Sequence, residues 1–326
     1  MALTFQARAA LALSTALTRV GLMPDMAKAL TAPVAKRLAL KPPKGLLGAV
    51  AEAVVEDRVL EARDGALLRV RVYRPVGAPS GVPVLYAHGG GFVVGGLASC
   101  DHICRRIAAD SGAVVASVEY RLAPEHPFPG PLHDMADAAA WLLSHAAELG
   151  ADPARLVVAG DSAGGNLAAA LSLVLREQGT PLAGQVLIYP TVDLTTSGPG
   201  LRDYAGPGLT AQDCRECAER YLAGHDPADP LASPLHAATF AGLPATLVVT
   251  VEHDPLREEG RLYVARCLAD GVAVQHLDVA DQVHGSLSLP RLYRGIDDVY
   301  RTVAAFLSER AGATPVEGAE PRSRQA

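Results

Sequence analysis

Aromatic side chains are scarce in this sequence, with one Trp and five Phe in 326 residues. That leaves little aromatic material to line a long tunnel. Cysteine is sparse and odd in number: Cys100, Cys104, Cys214, Cys217 and Cys267 are too few to staple a chain long enough to build a core without them. They read as reduced thiols, which points to the cytoplasm. Cys214 and Cys217 have the spacing of a redox or zinc half-site, but no second pair completes a tetrahedral set, and the Cys100, His102, Cys104 group fails in the same way. No metal is expected. A basic stripe is missing too. The formal net charge is −6 and Lys and Arg are scattered, which excludes a surface for neutralising nucleic-acid phosphates. Charges interrupt each apolar stretch of residues 1–40 before it could span a bilayer. Residues 1–40 are apolar and basic, with Arg8, Arg19, Lys28, Lys36 and Arg37 against Asp25 alone, yet they lack the basic start and small-residue cleavage site of a targeting peptide. Two amphipathic helices divided near Pro24 are expected there, without stable membrane insertion.

What the chain does have is aliphatic bulk. Hydrophobic residues make up 49% of it, enough for one large domain with a small appendage. Val54 to Ala62 and Leu67 to Tyr73 flank an Asp64-Gly65 turn and read as an antiparallel hairpin. In its second arm Leu68, Val70 and Val72 alternate with Arg69 and Arg71, the pattern of a sheet margin with one wet face. The rhythm then changes to short apolar runs: Val82 to Ala87, Ala113 to Val118, Arg155 to Ala159, Gln185 to Tyr189, Ala245 to Val251 and Val272 to Val279. Helical stretches separate them, near residues 101–110, 131–149, 163–177, 211–222, 256–270 and 291–308. Continuous apolar runs are strands buried on both faces, so the class is α/β, with a mostly parallel central sheet flanked by helices. Thr191 to Gly208 breaks the rhythm with Gly, Pro, Ser and Thr and reads as a functional loop or lid. Residues 46–310 form the main domain, and 311–326 are expected to be a disordered tail.

The strongest local signal is Gly160-Asp161-Ser162-Ala163-Gly164, set between the strand ending at Ala159 and the next helix. A serine there sits on a tight, strained turn that lifts its hydroxyl clear of the sheet. The glycines are required because side chains would collide where the backbone reverses. A serine hydroxyl is a poor nucleophile at neutral pH, so a histidine must accept its proton and a carboxylate must hold that histidine in the right tautomer. The α/β-hydrolase fold supplies these in the order serine, acid, histidine, each on a loop after a strand. Asp254 follows the strand ending at Val251 and precedes Pro255, with Glu252, Glu258 and Glu259 as competitors. Of the ten histidines, only His276 and His284 follow Asp254, and His276 lies inside a strand, which leaves His284. His88-Gly89-Gly90-Gly91-Phe92 directly follows the strand Val82 to Ala87. Its glycines expose N–H groups without covering side chains, as acyl transfer needs where an oxyanion develops. Gly89, Gly90 and Ala163 are read as the oxyanion-hole donors, with His88 and Gly91 supporting the loop. No Lys-Ser or Lys-Thr follows, so a P-loop is excluded.

Joined to Tyr120-Arg121-Leu122-Ala123-Pro124-Glu125, His126-Pro127-Phe128-Pro129, Gly165-Asn166 and Asp254-Pro255-Leu256, these motifs resemble the bacterial hormone-sensitive-lipase-like esterases of the α/β-hydrolase fold. The resemblance runs from residue 50 to 308. It implies a serine carboxylesterase acting on short- to medium-chain acyl esters, without metal or organic cofactor. It further implies a helical cap formed by residues 1–45 with part of 191–222 and, in many members, a homodimer. Two positions depart from the family pattern: Ser286 stands where Phe is common, and Glu258 where Asp is common. Two other functions fit the same residues, a non-catalytic small-ligand receptor on this fold and an amidase or deacetylase using the same triad.

Overall fold

The computed structural model describes residues 32–38, 41–42, 44–47, 49–202, 204–206, 208–293 and 295–312, with Arg8 and Ala12. The two helices expected around Pro24 fall almost wholly outside the described residues. So does the tail expected from residue 311, apart from Ala311 and Gly312, which end the last helix.

Strands β1 (Val54–Glu61), β2 (Leu67–Arg74), β3 (Pro83–Ala87), β4 (Val114–Val118), β5 (Val157–Asp161), β6 (Gly184–Ile188), β7 (Thr246–His253) and β8 (Val274–Val283) form a single sheet. Its order is β1-β2-β4-β3-β5-β6-β7-β8. β2 runs antiparallel to β1 and β4, and the remaining neighbours are parallel. The alternation in β2 does what it predicts: Leu68, Val70 and Val72 are buried while Arg69 and Arg71 stay accessible. In β3 to β6 every residue is buried, as strands covered on both faces must be.

The covering helices are α1 (Leu97–Ser111), α2 (Gly130–His145), α3 (Ala163–Glu177), α4 (Ala211–Leu222), α5 (Arg257–Ala269) and α6 (Ile296–Gly312). Successive side chains of a strand point to opposite faces, so each sheet face gathers its own core. Leu85, Val158, Leu187 and Val248 pack with α2 and α3 on one side. Val84, Val157, Val186 and Val249 pack with α1 and α6 on the other. Parallel strands place all their carboxyl ends on one rim, and the loops bearing His88, Ser162, Thr191, Asp254 and His284 emerge there.

One difference from the sequence reading matters for the site. β7 and β8 run to His253 and Val283, past their expected ends at Val251 and Val279. The two strands keep pairing beyond a register shift between Val251 and His253, with His253 opposite Val283. Glu252 and His253 in β7, and Asp281 and Gln282 in β8, are polar and hid this extension from a reading based on apolar runs.

Candidate active site

β5 ends at Asp161 and α3 begins at Ala163, so Ser162 alone makes the turn. Its backbone is at φ 54°, ψ −120°, a conformation that costs an L-residue on the order of 1–3 kcal/mol and persists only where the surroundings enforce it. Those surroundings are visible. The Ser162 N–H donates to the Ile188 carbonyl at 2.9 Å, which ties the turn to β6, and the Ser162 carbonyl accepts from the Asn166 N–H at 3.1 Å. A side chain at Gly160 would overlap the Gly164 carbonyl, and one at Gly164 would overlap the Ala87 carbonyl. The glycine spacing of the motif is therefore a packing requirement between β3, β5 and α3.

The extended pairing of β7 with β8 sets the next two groups. Asp254 and His284 each follow one member of the His253–Val283 pair, so they leave adjacent strands side by side. His284 Nδ1 lies 2.8 Å from Asp254 Oδ2, and His284 Nε2 lies 2.8 Å from Ser162 Oγ. A neutral imidazole that donates from Nδ1 to the carboxylate leaves Nε2 free to accept the serine proton. The Asp254 side chain is fully buried, and its Oδ1 accepts the Leu256 N–H at 2.8 Å. The Tyr189 ring stands 4.9 Å from the His284 ring and walls it on one side.

The competing residues are engaged elsewhere. His276 Nε2 is 2.9 Å from Thr250 Oγ1. Glu252 accepts the Asp281 N–H, Glu258 pairs with Arg261, and Glu259 accepts the Val192 N–H.

The glycine loop after β3 corrects one assignment. The Gly89 N–H, expected to face an oxyanion, donates instead to Asp161 Oδ1 at 3.0 Å. Tyr86 Oη donates to the same oxygen at 2.7 Å. A donor already held by a buried carboxylate is not open to substrate, so Gly89 is an anchor of the loop. The N–H groups of Gly90 and Gly91 have no partner among the described residues. Ala163, as the first residue of α3, has an N–H without an intrahelical acceptor. Gly91, expected only to support the loop, thus presents an open N–H where Gly89 does not. Gly90 sits at φ 124°, where only glycine is at ease, and a side chain on it would overlap the Val94 carbonyl.

Asp161 is the residue that sequence reasoning passed over. Its signal was an acid in the variable position of the serine motif, at the end of a buried strand. Burial raises its carboxyl above the ordinary value, opposed by the Tyr86 and Gly89 hydrogen bonds.

His88 braces the same loop. Its Nδ1 is 2.8 Å from the Gly89 carbonyl, its ring stacks on Tyr120 at 4.2 Å, and Tyr120 Oη donates to the His88 carbonyl at 2.7 Å. Burial pushes the imidazole down to about 4 from its ordinary 6.5. Between those values the unfolded chain binds a proton that the folded chain refuses. The contribution to stability is therefore full above pH 6.5, declines as pH falls toward 4, and is absent below. Replacing His88 with Asn should remove a loss on the order of 3 kcal/mol across that window. Urea unfolding of both proteins at stepped pH measures this, and parallel pH slopes would show that His88 is not responsible.

These groups open into a cavity of about 550 Å³. Gly90, Phe92, Leu194, Leu209, Cys217 and Leu289 give it a largely apolar wall, and Lys41 and Pro42 close it from the N-terminal side. All five cysteines are free thiols, and among the described residues no group of His, Cys, Asp or Glu is arranged to hold a metal ion. No helix among the described residues is long and apolar enough to cross a membrane.

The sheet and its rim of post-strand loops define an α/β hydrolase, and the family described as alpha/beta hydrolase fold matches residues 84–288. Carboxylesterase NlhH of Mycobacterium tuberculosis is 39% identical over 253 residues, covering 76% of this chain and 78% of that protein. The solved esterase of Pyrobaculum calidifontis is 40% identical, with a TM-score of 0.76 over 82% of this chain and 89% of its own. An ester hydrolase from the metagenome of Lake Arreo, solved with a bipyridine phosphonate derivative, is 35% identical, with a TM-score of 0.85 over 96% of this chain and 100% of its own. The chain belongs to the hormone-sensitive-lipase-like esterases of the α/β-hydrolase family.

Proposed function

We propose that this protein hydrolyses carboxylic esters with short to medium acyl chains, using Ser162 as nucleophile, His284 as general base and Asp254 as the acid that orients it. The observation that carries the reading is the unbroken relay from Asp254 through His284 to the Ser162 hydroxyl, each link 2.8 Å, beside the open N–H groups of Gly90, Gly91 and Ala163. Ser162 attacks the ester carbonyl as His284 takes its proton, and the three N–H groups hold the oxygen that becomes negative. His284 then protonates the departing alcohol. Water deprotonated by the same imidazole cleaves the acyl-enzyme and restores the serine. We assign the cap over this pocket to the N-terminal segment with part of 191–222, a reading supported by Lys41, Pro42, Leu194, Leu209 and Cys217 in the pocket wall. Five free thiols fit work in the cytoplasm.

The relatives' names support the substrate class, since they include carboxylesterases and an ethyl acetate hydrolase of Pseudomonas putida. The test is a fluorophosphonate probe followed by peptide mapping, run beside a panel of p-nitrophenyl esters from acetyl to palmitoyl. Labelling should fall on Ser162, with turnover highest for the short and medium chains. No labelling would favour a non-catalytic receptor on this fold, and fastest turnover of palmitoyl ester would overturn the chain-length reading.

A further inference from the structure

Arg37 read from sequence as one more base in a basic N-terminal stretch. It is in fact 1% exposed, among the largest fully buried side chains of the protein. It lies on the short helix Val34–Leu38, which sits against the segment following the glycine loop. Nη1 donates to the Val93 carbonyl at 2.8 Å and to the Ala123 carbonyl at 2.6 Å, and Nη2 pairs with the Glu125 carboxylate. The Arg37 carbonyl in turn accepts the Gly95 N–H at 3.0 Å. One residue thus grips the loop at Val93 and Gly95 and ties it to the Ala123–Glu125 turn.

The gripped segment is the far half of the loop that presents Gly90 and Gly91. The Val93 and Val94 N–H groups both donate to the Gly90 carbonyl, at 3.1 and 3.0 Å, so displacement of Val93 is carried directly to the Gly90 peptide. Asp161 fixes the near end of the same loop through Gly89, and Phe92 stacks on Tyr221 of α4 at 3.7 Å. Of these fixings, Arg37 is the one that comes from the N-terminal segment. Burying a guanidinium costs several kcal/mol before its partners offset it, and Arg37 Nε is left without a partner. An aliphatic residue would fill such a position without that penalty. What it could not do is hold two carbonyls and a carboxylate at set angles, which the planar fork of arginine does.

We propose that Arg37 is a positioning residue for ester hydrolysis: through it, the N-terminal segment sets the position of the Gly90 and Gly91 N–H groups. The proposal rests on the reading of those groups as oxyanion donors. A misplacement of about 1 Å in such groups lowers turnover by up to about 10²-fold.

The experiment compares wild type, Arg37→Ala and Arg37→Lys for p-nitrophenyl butyrate hydrolysis. Active sites are counted by fluorophosphonate titration, so that turnover is expressed per reactive serine. Arg37→Ala should lower kcat per titrated site roughly 10- to 100-fold with KM moved far less, and slow the phosphonylation rate by a similar factor. Arg37→Lys keeps the charge but not the fork and should fall between. A loss confined to the number of titratable sites, with wild-type turnover at each, would make Arg37 merely structural and overturn the proposal. If Arg37→Ala does not fold, wild-type kcat per site in Arg37→Lys overturns it equally. Failure of wild type itself to be phosphonylated at Ser162 would instead defeat the underlying esterase reading.

Discussion

Ser162→Ala should lose ester turnover by roughly 10⁶-fold in kcat while folding as before. The size of the effect follows from the relay geometry. With no hydroxyl opposite His284 Nε2, the imidazole has no proton to take and no acyl-enzyme can form. What survives is the contribution of the Gly90, Gly91 and Ala163 N–H groups and of substrate binding, which leaves activity above that of water but far below wild type. Stability should change little. Alanine retains a Cβ and therefore inherits the same strained φ of 54°, and only the single hydrogen bond to His284 is lost. The measurement is p-nitrophenyl butyrate hydrolysis by both proteins at matched folded concentration, with thermal unfolding as the control. Contaminating host esterase is removed beforehand by fluorophosphonate treatment. A treated Ser162→Ala sample that still turns over at several per cent of wild type would end the assignment.

Gly90→Ala carries the second largest expectation, for a different physical reason. The new methyl would meet the Val94 carbonyl, and φ of 124° is open to glycine alone, so the loop must rotate to accept it. Rotation turns the Gly90 N–H away from the position of the developing oxyanion. Loss of one such donor lowers kcat about 10²- to 10³-fold and leaves ground-state binding nearly intact, so KM should move little. Some stability goes as well, on the order of 1–3 kcal/mol for the forced backbone. Gly77→Ala is the control, because nothing lies within 4 Å of the position its methyl would take. Equal kcat values for the two variants would show that the loop supplies no oxyanion donor at Gly90.

Much of this architecture was legible without coordinates because it rests on local pattern. The alternation of Leu68, Val70 and Val72 with arginines marked a half-buried strand, and unbroken runs such as Val84-Leu85-Tyr86 marked doubly covered ones. The glycines around Ser162 marked a turn where the backbone doubles back. Chain order narrowed the histidines to His276 and His284, and the strand pattern around His276 left His284 as the candidate, since the fold demands an acid before a post-strand histidine.

The parts that were not legible depend on where a group points. A stretch of three glycines announces exposed N–H groups, but not which of them face a substrate. Only the buried Asp161 carboxylate, meeting Gly89 across the gap between β3 and β5, decides that. The pairing of His253 with Val283 likewise brings Asp254 and His284 together through a polar strand extension that hydrophobic patterning cannot register. Arg37 and its exposed neighbour Lys36 are both cations in one basic stretch, and no local pattern marks which is buried, yet one is sealed among carbonyls and the other faces water. Sequence by itself determined the order of strands and helices and the strained turn at Ser162, because each follows from periodicity or backbone sterics within a short window. Tertiary structure alone decided which N–H groups stay free and which charge is buried, because hydrogen-bond partners distant along the chain are set by packing in three dimensions.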